Sequence, residues 1–192
     1  SYIAKREGIE VKEITLFIFG GVSQMTKEPE DPMKEFKVAI GGPISSLILA
    51  FIFWITSKII SYTPDFILYT GLLSYLAFIN LSLAVFNLIP GFPLDGGRVL
   101  RALYWKKTGS VRKATQIAAG TGKWVGVGII LLGLLLILTG NLIGGFWFVI
   151  IGIFLRSAAE GGIQQVVMKT ALEGVKVREL MSQSVITVQP SL

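Results

Sequence analysis

The chain has 192 residues, of which 52% are hydrophobic and 16% are charged, and it contains no Cys and no His. Its net charge of +6 comes from 18 Lys and Arg against 12 Asp and Glu, and long uncharged runs separate the basic residues. This composition excludes a disordered chain, a basic stripe that binds nucleic acid, a disulfide framework and any Cys-ligated metal. The lack of His removes the commonest metal ligand and the usual proton shuttle from this chain.

The first element in chain order is an apolar, β-prone stretch from Ile14 to Met25. It is too short to cross a bilayer as a helix, and Gly20-Gly21 predicts the turn of a β-hairpin. Backbone at membrane depth must be hydrogen-bonded within protein. The hairpin is therefore either a re-entrant, membrane-associated element beside a cavity or an interfacial cytoplasmic element, and the sequence leaves both open.

Uncharged runs then predict about four transmembrane helices. Val38 to Ser57 is long enough for one crossing, and the run from Phe66 to Leu94 contains a second helix that should break near Pro90. The run from Trp124 to Leu155 is interrupted at Thr139-Gly140-Asn141, which favours a helical hairpin with two crossings. The predicted fold class is an α-helical multi-pass membrane protein with a short membrane-associated β-like segment.

The distribution of Lys and Arg predicts the orientation of these helices. In an alternating topology, 16 of the 18 basic residues lie on one face: before the first span, between the second and third spans, and in the C-terminal tail. Such loops are typical of the cytoplasmic side. We therefore expect a cell-membrane protein with cytoplasmic basic loops and a cytoplasmic tail, embedded in the lipid bilayer and binding no nucleic acid.

Asp95 is an acidic residue where the second span ends, and acidic residues near membrane spans are candidates for function. A second interpretation is structural, because Asp95 precedes Gly96-Gly97 and an amphipathic stretch that runs to Lys107. An Asp at that place is typical of a helix N-cap. The residues alone leave both interpretations open.

The residues around Asp95 form the string Asn87-x-x-Pro90-x-x-Pro93-Leu94-Asp95-Gly96-Gly97-Arg98. This string resembles the second catalytic motif of the site-2 protease family of intramembrane zinc metalloproteases. Further matches are Gly42-Pro43 and Gly20-Gly21, at places where that family has glycines. The resemblance covers most of Ser1 to Lys169.

The resemblance implies roles for two residues and a cofactor. Asp95 would be the third ligand of a Zn²⁺ ion, and Asn87 would assist by holding the substrate carbonyl or oxyanion. The implied reaction is metal-assisted hydrolysis of peptide bonds within the membrane. The implied partner is a membrane protein substrate with an unwound transmembrane segment, which a strand from Ile14 to Ile18 could receive by β-augmentation.

The chain departs from the family because it has no His and so lacks the His-Glu-x-x-His motif, which supplies two zinc ligands and the general base. We expect that motif just before Ser1, in a longer protein from which residues 1–172 are an N-terminally truncated membrane-embedded protease core. A fragment that offers one carboxylate to zinc should be inactive alone.

The tail from residue 173 to residue 192 resembles the opening of a CBS domain, a cytoplasmic module that often binds adenine nucleotides. The resemblance rests on the stretch from Val175 to Pro190. It implies a C-terminally truncated domain that would bind an adenine nucleotide only when complete.

Two classes of function remain open at this stage. The first is the intramembrane metalloprotease. The second is a non-catalytic membrane scaffold or transporter-like protein of the same fold, in which Asp95 caps a helix. The two classes separate on metal, because the protease requires zinc and the scaffold does not.

Overall fold

The computed structural model describes residues 11–17, 20–25, 31–62 and 66–172. Its elements are the strands β1 (Val11–Phe17) and β2 (Gly20–Met25) and the helices α1 (Pro32–Ile60), α2 (Ile67–Asn87), α3 (Asp95–Thr108), α4 (Val111–Leu138) and α5 (Leu142–Leu172). The tail that resembles a CBS domain lies outside the described residues, so the predicted domain division stays a prediction.

Four helices, α1, α2, α4 and α5, are long and apolar enough to cross a membrane. This agrees with the four spans predicted from the sequence. The described part of the chain is nearly all helical. The remaining helix, α3, is shorter than the four candidate spans and carries the basic residues Lys106 and Lys107 in its last turn.

Small residues form the helix contacts, whereas large apolar residues point outward. The buried apolar residues are mostly alanines, such as Ala39, Ala84 and Ala118, while Leu138 and Ile143 are more than four-fifths exposed. This arrangement is the reverse of a soluble core and is typical of helices that pack closely inside a lipid environment.

The α4–α5 hairpin shows this close packing most clearly. A Cβ atom added at Gly126 would lie 2.9 Å from the Gly152 oxygen, and one added at Gly133 would lie 2.7 Å from the Gly145 oxygen. The two backbones therefore touch at two levels, where these four glycines leave room for the contact. Gly128 of α4, by contrast, has nothing within 4 Å of such a Cβ.

The α1–α2 hairpin is joined by a polar contact within its apolar length. The Ser57 hydroxyl lies 2.7 Å from the Ser74 hydroxyl and donates to the Thr70 carbonyl at 3.1 Å. The Asn80 side-chain amide, by contrast, donates to the Leu76 carbonyl of its own helix.

The strands β1 and β2 pair in antiparallel fashion, with Phe17 opposite Gly20 and Leu16 opposite Gly21. The prediction that Gly20-Gly21 forms the turn is therefore wrong, because both glycines lie within β2. A glycine has no side chain to disturb the ladder, so the pair can be accommodated in a strand as well as in a turn.

Candidate functional site

The connection between α2 and α3 spans residues 88–94 and is tied to its surroundings by backbone hydrogen bonds. Pro90 and Pro93 have no N–H to continue a helix, and the chain turns instead, with the Leu94 N–H donating to the Gly91 carbonyl at 3.0 Å. The Phe92 N–H donates to the Ala118 carbonyl of α4, also at 3.0 Å. The connection is thus held against α4.

Glycines permit this connection to pack directly on two helices. A Cβ at Gly96 would overlap the Leu88 carbonyl, and one at Gly97 would overlap the Gly91 backbone. On α4, a Cβ at Gly122 would overlap the Phe92 carbonyl. The glycines that follow Asp95 are therefore needed because backbone meets backbone at the start of α3.

Asp95 is the first residue of α3, and the N-cap position belongs to Leu94, which makes no side-chain cap bond. Among the described residues, none makes a hydrogen bond to the half-buried Asp95 carboxylate. Burial raises the pKa of this carboxyl, and the nearby Arg98 opposes that rise. The interpretation of Asp95 as a helix cap is therefore wrong, and its carboxylate is available for another role.

The Asp95 carboxylate lies against the backbone of α1. A Cβ built at Gly42 would stand 2.7 Å from the Asp95 Oδ2 atom. Any larger residue at position 42 would compete with the carboxylate for this space. Gly42 therefore belongs to the site, which gives a physical reason for the glycine that precedes Pro43.

Asn87, the second predicted site residue, is the last residue of α2 and is partly exposed. Its side chain makes no hydrogen bond with another described residue. Asn87 and Asp95 thus stand at the two ends of one connection, each with an uncommitted polar side chain.

The described residues offer a metal ion one carboxylate rather than a complete site. They contain no group of three or more His, Cys, Asp or Glu that could hold a metal ion. A catalytic zinc site typically takes three protein ligands. The half-buried Asp95 carboxylate, which caps no helix, fits the chemistry of one such ligand, and the described residues do not supply two more beside it.

A buried ion cluster beside the site was not foreseen from the sequence. Glu35 of α1 is 1% exposed and accepts a 2.6 Å hydrogen bond from Arg101 Nε, and Arg98 Nε lies 3.9 Å from the same oxygen. The Arg101 guanidinium also lies over the Phe92 ring, 5.1 Å from its centroid. The sequence did contain a signal for this buried acid. Glu35, Ala39 and Gly42 are spaced four and three residues apart, so Glu35 lies on the same inward face of α1 as the two small residues.

The fold and the site together define a class of protein: a multi-pass helical membrane protein with a half-buried carboxylate where a span ends. Residues 65–135 match the model of Peptidase family M50. A solved structure titled Site-2 Protease from Methanocaldococcus jannaschii superposes with a TM-score of 0.62 at 36% identity, over 85% of this chain and 69% of that chain.

Curated relatives agree with that match. Zinc metalloprotease MJ0392 of Methanocaldococcus jannaschii is 35% identical over 100% of this chain and 53% of its own length. The Synechocystis protein sll0528, named as a zinc metalloprotease, is 42% identical over 90% of this chain and 45% of its own length. The chain spans about half the length of these curated relatives. The chain belongs to the site-2 protease family of metalloproteases, peptidase family M50, as its motif predicted.

Proposed function

We propose that the full-length protein is an intramembrane zinc metalloprotease that cleaves transmembrane segments of membrane protein substrates, with Asp95 as a zinc ligand. The observation that carries this proposal is the state of the Asp95 carboxylate. It is half-buried, it caps no helix, and it faces the Gly42 backbone at the end of a span. Burying an acid there with no hydrogen bond from a described residue is costly, and binding a cation would offset that cost.

The remaining ligands come, in this proposal, from a His-Glu-x-x-His helix that precedes the chain in the full-length protein. When bound, zinc supplies a water that is activated near neutral pH and polarises the scissile carbonyl, with the Glu of that motif as base. The start of α3, where Gly96 and Gly97 pack against neighbouring backbone, holds the Asp95 carboxylate in place. A piece that lacks the motif has no complete site and should be inactive.

Asn87 acts on the substrate rather than on the metal. Its side-chain amide carries two N–H donors and is not committed to a hydrogen bond with another described residue. An amide donor can stabilise the negative charge that develops on the scissile carbonyl oxygen. We therefore assign Asn87 to the substrate carbonyl.

The substrate is a membrane protein whose transmembrane segment unwinds, because a helix hides its own peptide bonds in its backbone hydrogen bonds. β1 pairs with β2 along one edge, and its other edge has no strand partner among the described residues. That edge would bind the unwound segment by β-augmentation, through backbone donors and acceptors. In this proposal the hairpin is membrane-associated.

The proposed location is the cell membrane, with the basic loops and the tail on the cytoplasmic side. The connection between α3 and α4 would then face the cytoplasm, and Asp95 would lie near that side. A complete CBS domain after residue 172 would place an adenine-nucleotide site on the same side and would couple cleavage to nucleotide levels.

The test of the proposed function compares zinc content and cleavage in the full-length protein. Wild type should hold about one Zn²⁺ per chain and cleave a transmembrane substrate. Asp95→Asn should lose zinc affinity by at least about a hundredfold and lose cleavage. Asn87→Ala should keep zinc and lose about 10²–10³ in cleavage rate, as for one oxyanion donor. A wild-type protein without bound metal would overturn the protease and favour the scaffold.

The role of β1 is tested separately by removing one backbone donor. Leu16→Pro removes an N–H from the free edge of β1, because Phe17 pairs with Gly20 across the ladder and neighbouring residues of a strand point their N–H groups to opposite sides. Leu16→Ala shortens the same side chain while keeping the N–H. We expect Leu16→Pro to lose cleavage with zinc still bound, and Leu16→Ala to cleave normally. Equal cleavage by the two variants would contradict substrate binding at this strand.

A further inference from the structure

Two arginines of α3, Arg98 and Arg101, lie within ion-pair distance of Glu35 of α1, and both are close in sequence to Asp95. Arg101 pairs with Glu35 through two guanidinium nitrogens, and Arg98 lies within ion-pair distance of the same carboxylate oxygen. Glu35 is 1% exposed and Arg101 is 9% exposed. This cluster is therefore sheltered from water, where a pair has more influence on structure than at the surface.

The ion cluster and the candidate metal ligand are two contacts of the same pair of helices. Glu35 precedes Gly42 by seven residues on α1, a rise of about 10 Å, and Asp95 precedes Arg101 by six residues on α3, a rise of about 9 Å. The contacts Glu35–Arg101 and Gly42–Asp95 thus match two antiparallel helices side by side. The ion pair fixes the register that brings Asp95 to Gly42.

Arg98 is the natural competitor for the Asp95 carboxylate. The two residues are three apart on one helix, a spacing at which opposite charges attract each other. A guanidinium group that paired with the carboxylate would occupy the oxygens that a metal needs. In the structure Arg98 instead approaches Glu35, and Arg101 is further held by the Phe92 ring.

We propose that Glu35 is a positioning residue for Asp95: it holds Arg101 and Arg98 at α1, which fixes the register of α3 and keeps both guanidinium groups off the carboxylate that binds metal. This inference rests on the proposed function, because it assumes that Asp95 is a zinc ligand. Glu35 itself touches neither the metal nor the substrate.

The experiment measures zinc affinity of the full-length protein in detergent, by competition with a chromogenic chelator, for Glu35→Gln and a matched control. The control is Glu160→Gln in α5, since Glu160 also accepts two basic partners, Lys123 at 3.2 Å and Arg156 at 3.9 Å, but is 45% exposed. We expect Glu35→Gln to weaken zinc binding by about 10- to 100-fold, in the range of losses seen when groups that orient a metal ligand are removed. Glu160→Gln should bind zinc as wild type does.

A second substitution separates positioning from a general loss of packing. Adding Arg98→Gln to Glu35→Gln removes the competitor and should recover part of the lost zinc affinity, while the part that depends on the Glu35–Arg101 pair stays lost. No recovery would overturn the proposal, as would wild-type zinc affinity in Glu35→Gln.

Arg98→Gln alone keeps the Glu35–Arg101 pair and tests the same idea if Glu35→Gln fails to fold. It should bind zinc as wild type does, because Glu35 already holds Arg98 away from the Asp95 carboxylate in the wild-type protein. Clearly tighter binding would show that Arg98 competes despite Glu35 and would overturn the proposal. The zinc affinity of Asp95→Asn is measured alongside. If Asp95→Asn binds zinc normally, the proposed function is wrong. If Asp95→Asn loses zinc affinity and Glu35→Gln does not, only the positioning role of Glu35 is wrong.

Discussion

Two short segments interrupt the apolar sequence and connect one helix to the next by different means. They are residues 88–94 before α3 and residues 139–141 before α5. The second is a tight turn in which Gly140 has a φ of 93° and the Asn141 side chain accepts from the Gly144 N–H at 3.0 Å. The first is longer, is packed between α3 and α4, and ends on Asp95, whose carboxylate caps nothing.

The difference teaches how to separate a structural polar residue from a functional one. Both residues start a helix, and both would be assigned as caps from the sequence. Asn141 satisfies a backbone donor of its own helix, as caps do. Asp95 makes no such bond to its own helix, and its carboxylate lies against α1 instead. Capping therefore does not explain why an acid stands at this position.

The largest effect should come from breaking the packed connection itself. Gly122→Ala places a methyl group on the Phe92 carbonyl, and neither backbone can rotate away as a side chain could. We expect a loss of stability of about 1–3 kcal/mol together with weaker zinc binding, measured by thermal unfolding and chelator competition. Gly120→Ala, two residues away with nothing within 4 Å of its Cβ, is the control and should be at least as stable as wild type, because Ala favours a helix interior over Gly. Equal unfolding of the two variants would contradict the backbone contact.

A smaller effect should follow from disturbing Asp95 without touching the connection. Gly42→Ala brings a methyl group to within 2.7 Å of the carboxylate, which must move, so zinc affinity should fall about tenfold, or about 1.4 kcal/mol. Gly71→Ala in α2, where a Cβ meets nothing within 4 Å, should bind zinc normally. If Gly42→Ala binds zinc as tightly as Gly71→Ala does, the carboxylate does not depend on this contact.

The smallest effect should be at the second interruption. Asn141→Ala removes the cap of α5 and should cost about 1 kcal/mol of stability with no change in zinc affinity. Asn141→Asp keeps a side-chain acceptor and should retain most of that stability. A change in zinc binding on Asn141→Ala would remove the contrast between the two interruptions.

Local patterns in the sequence were sufficient for the spans and for the position of Asp95. Uncharged runs set the helices because a bilayer requires a minimum apolar length, and the Pro-rich break before Asp95 is a local signal. The motif around Asp95 led to the family.

The rest depends on contacts that no local pattern encodes. Glu35 and Arg101 are 66 residues apart, and each looks like an ordinary charge at the end of a span. The approach of Gly42 to Asp95 likewise follows from the register of two helices. The turn of the hairpin was misplaced because glycine is compatible with either a strand or a turn.

The contact between Gly42 and Asp95 also sets how deep the Asp95 carboxylate lies along the uncharged run of α1. Gly42 lies five residues beyond Lys37, the last charge before the uncharged run, which is a rise of about 7.5 Å along the helix. The carboxylate is therefore level with the shallow part of that run rather than its middle. Hydrolysis in the proposed protease consumes one water per bond cleaved, and a reaction centre at this level could draw that water from the basic side of the membrane over about one and a half turns of helix.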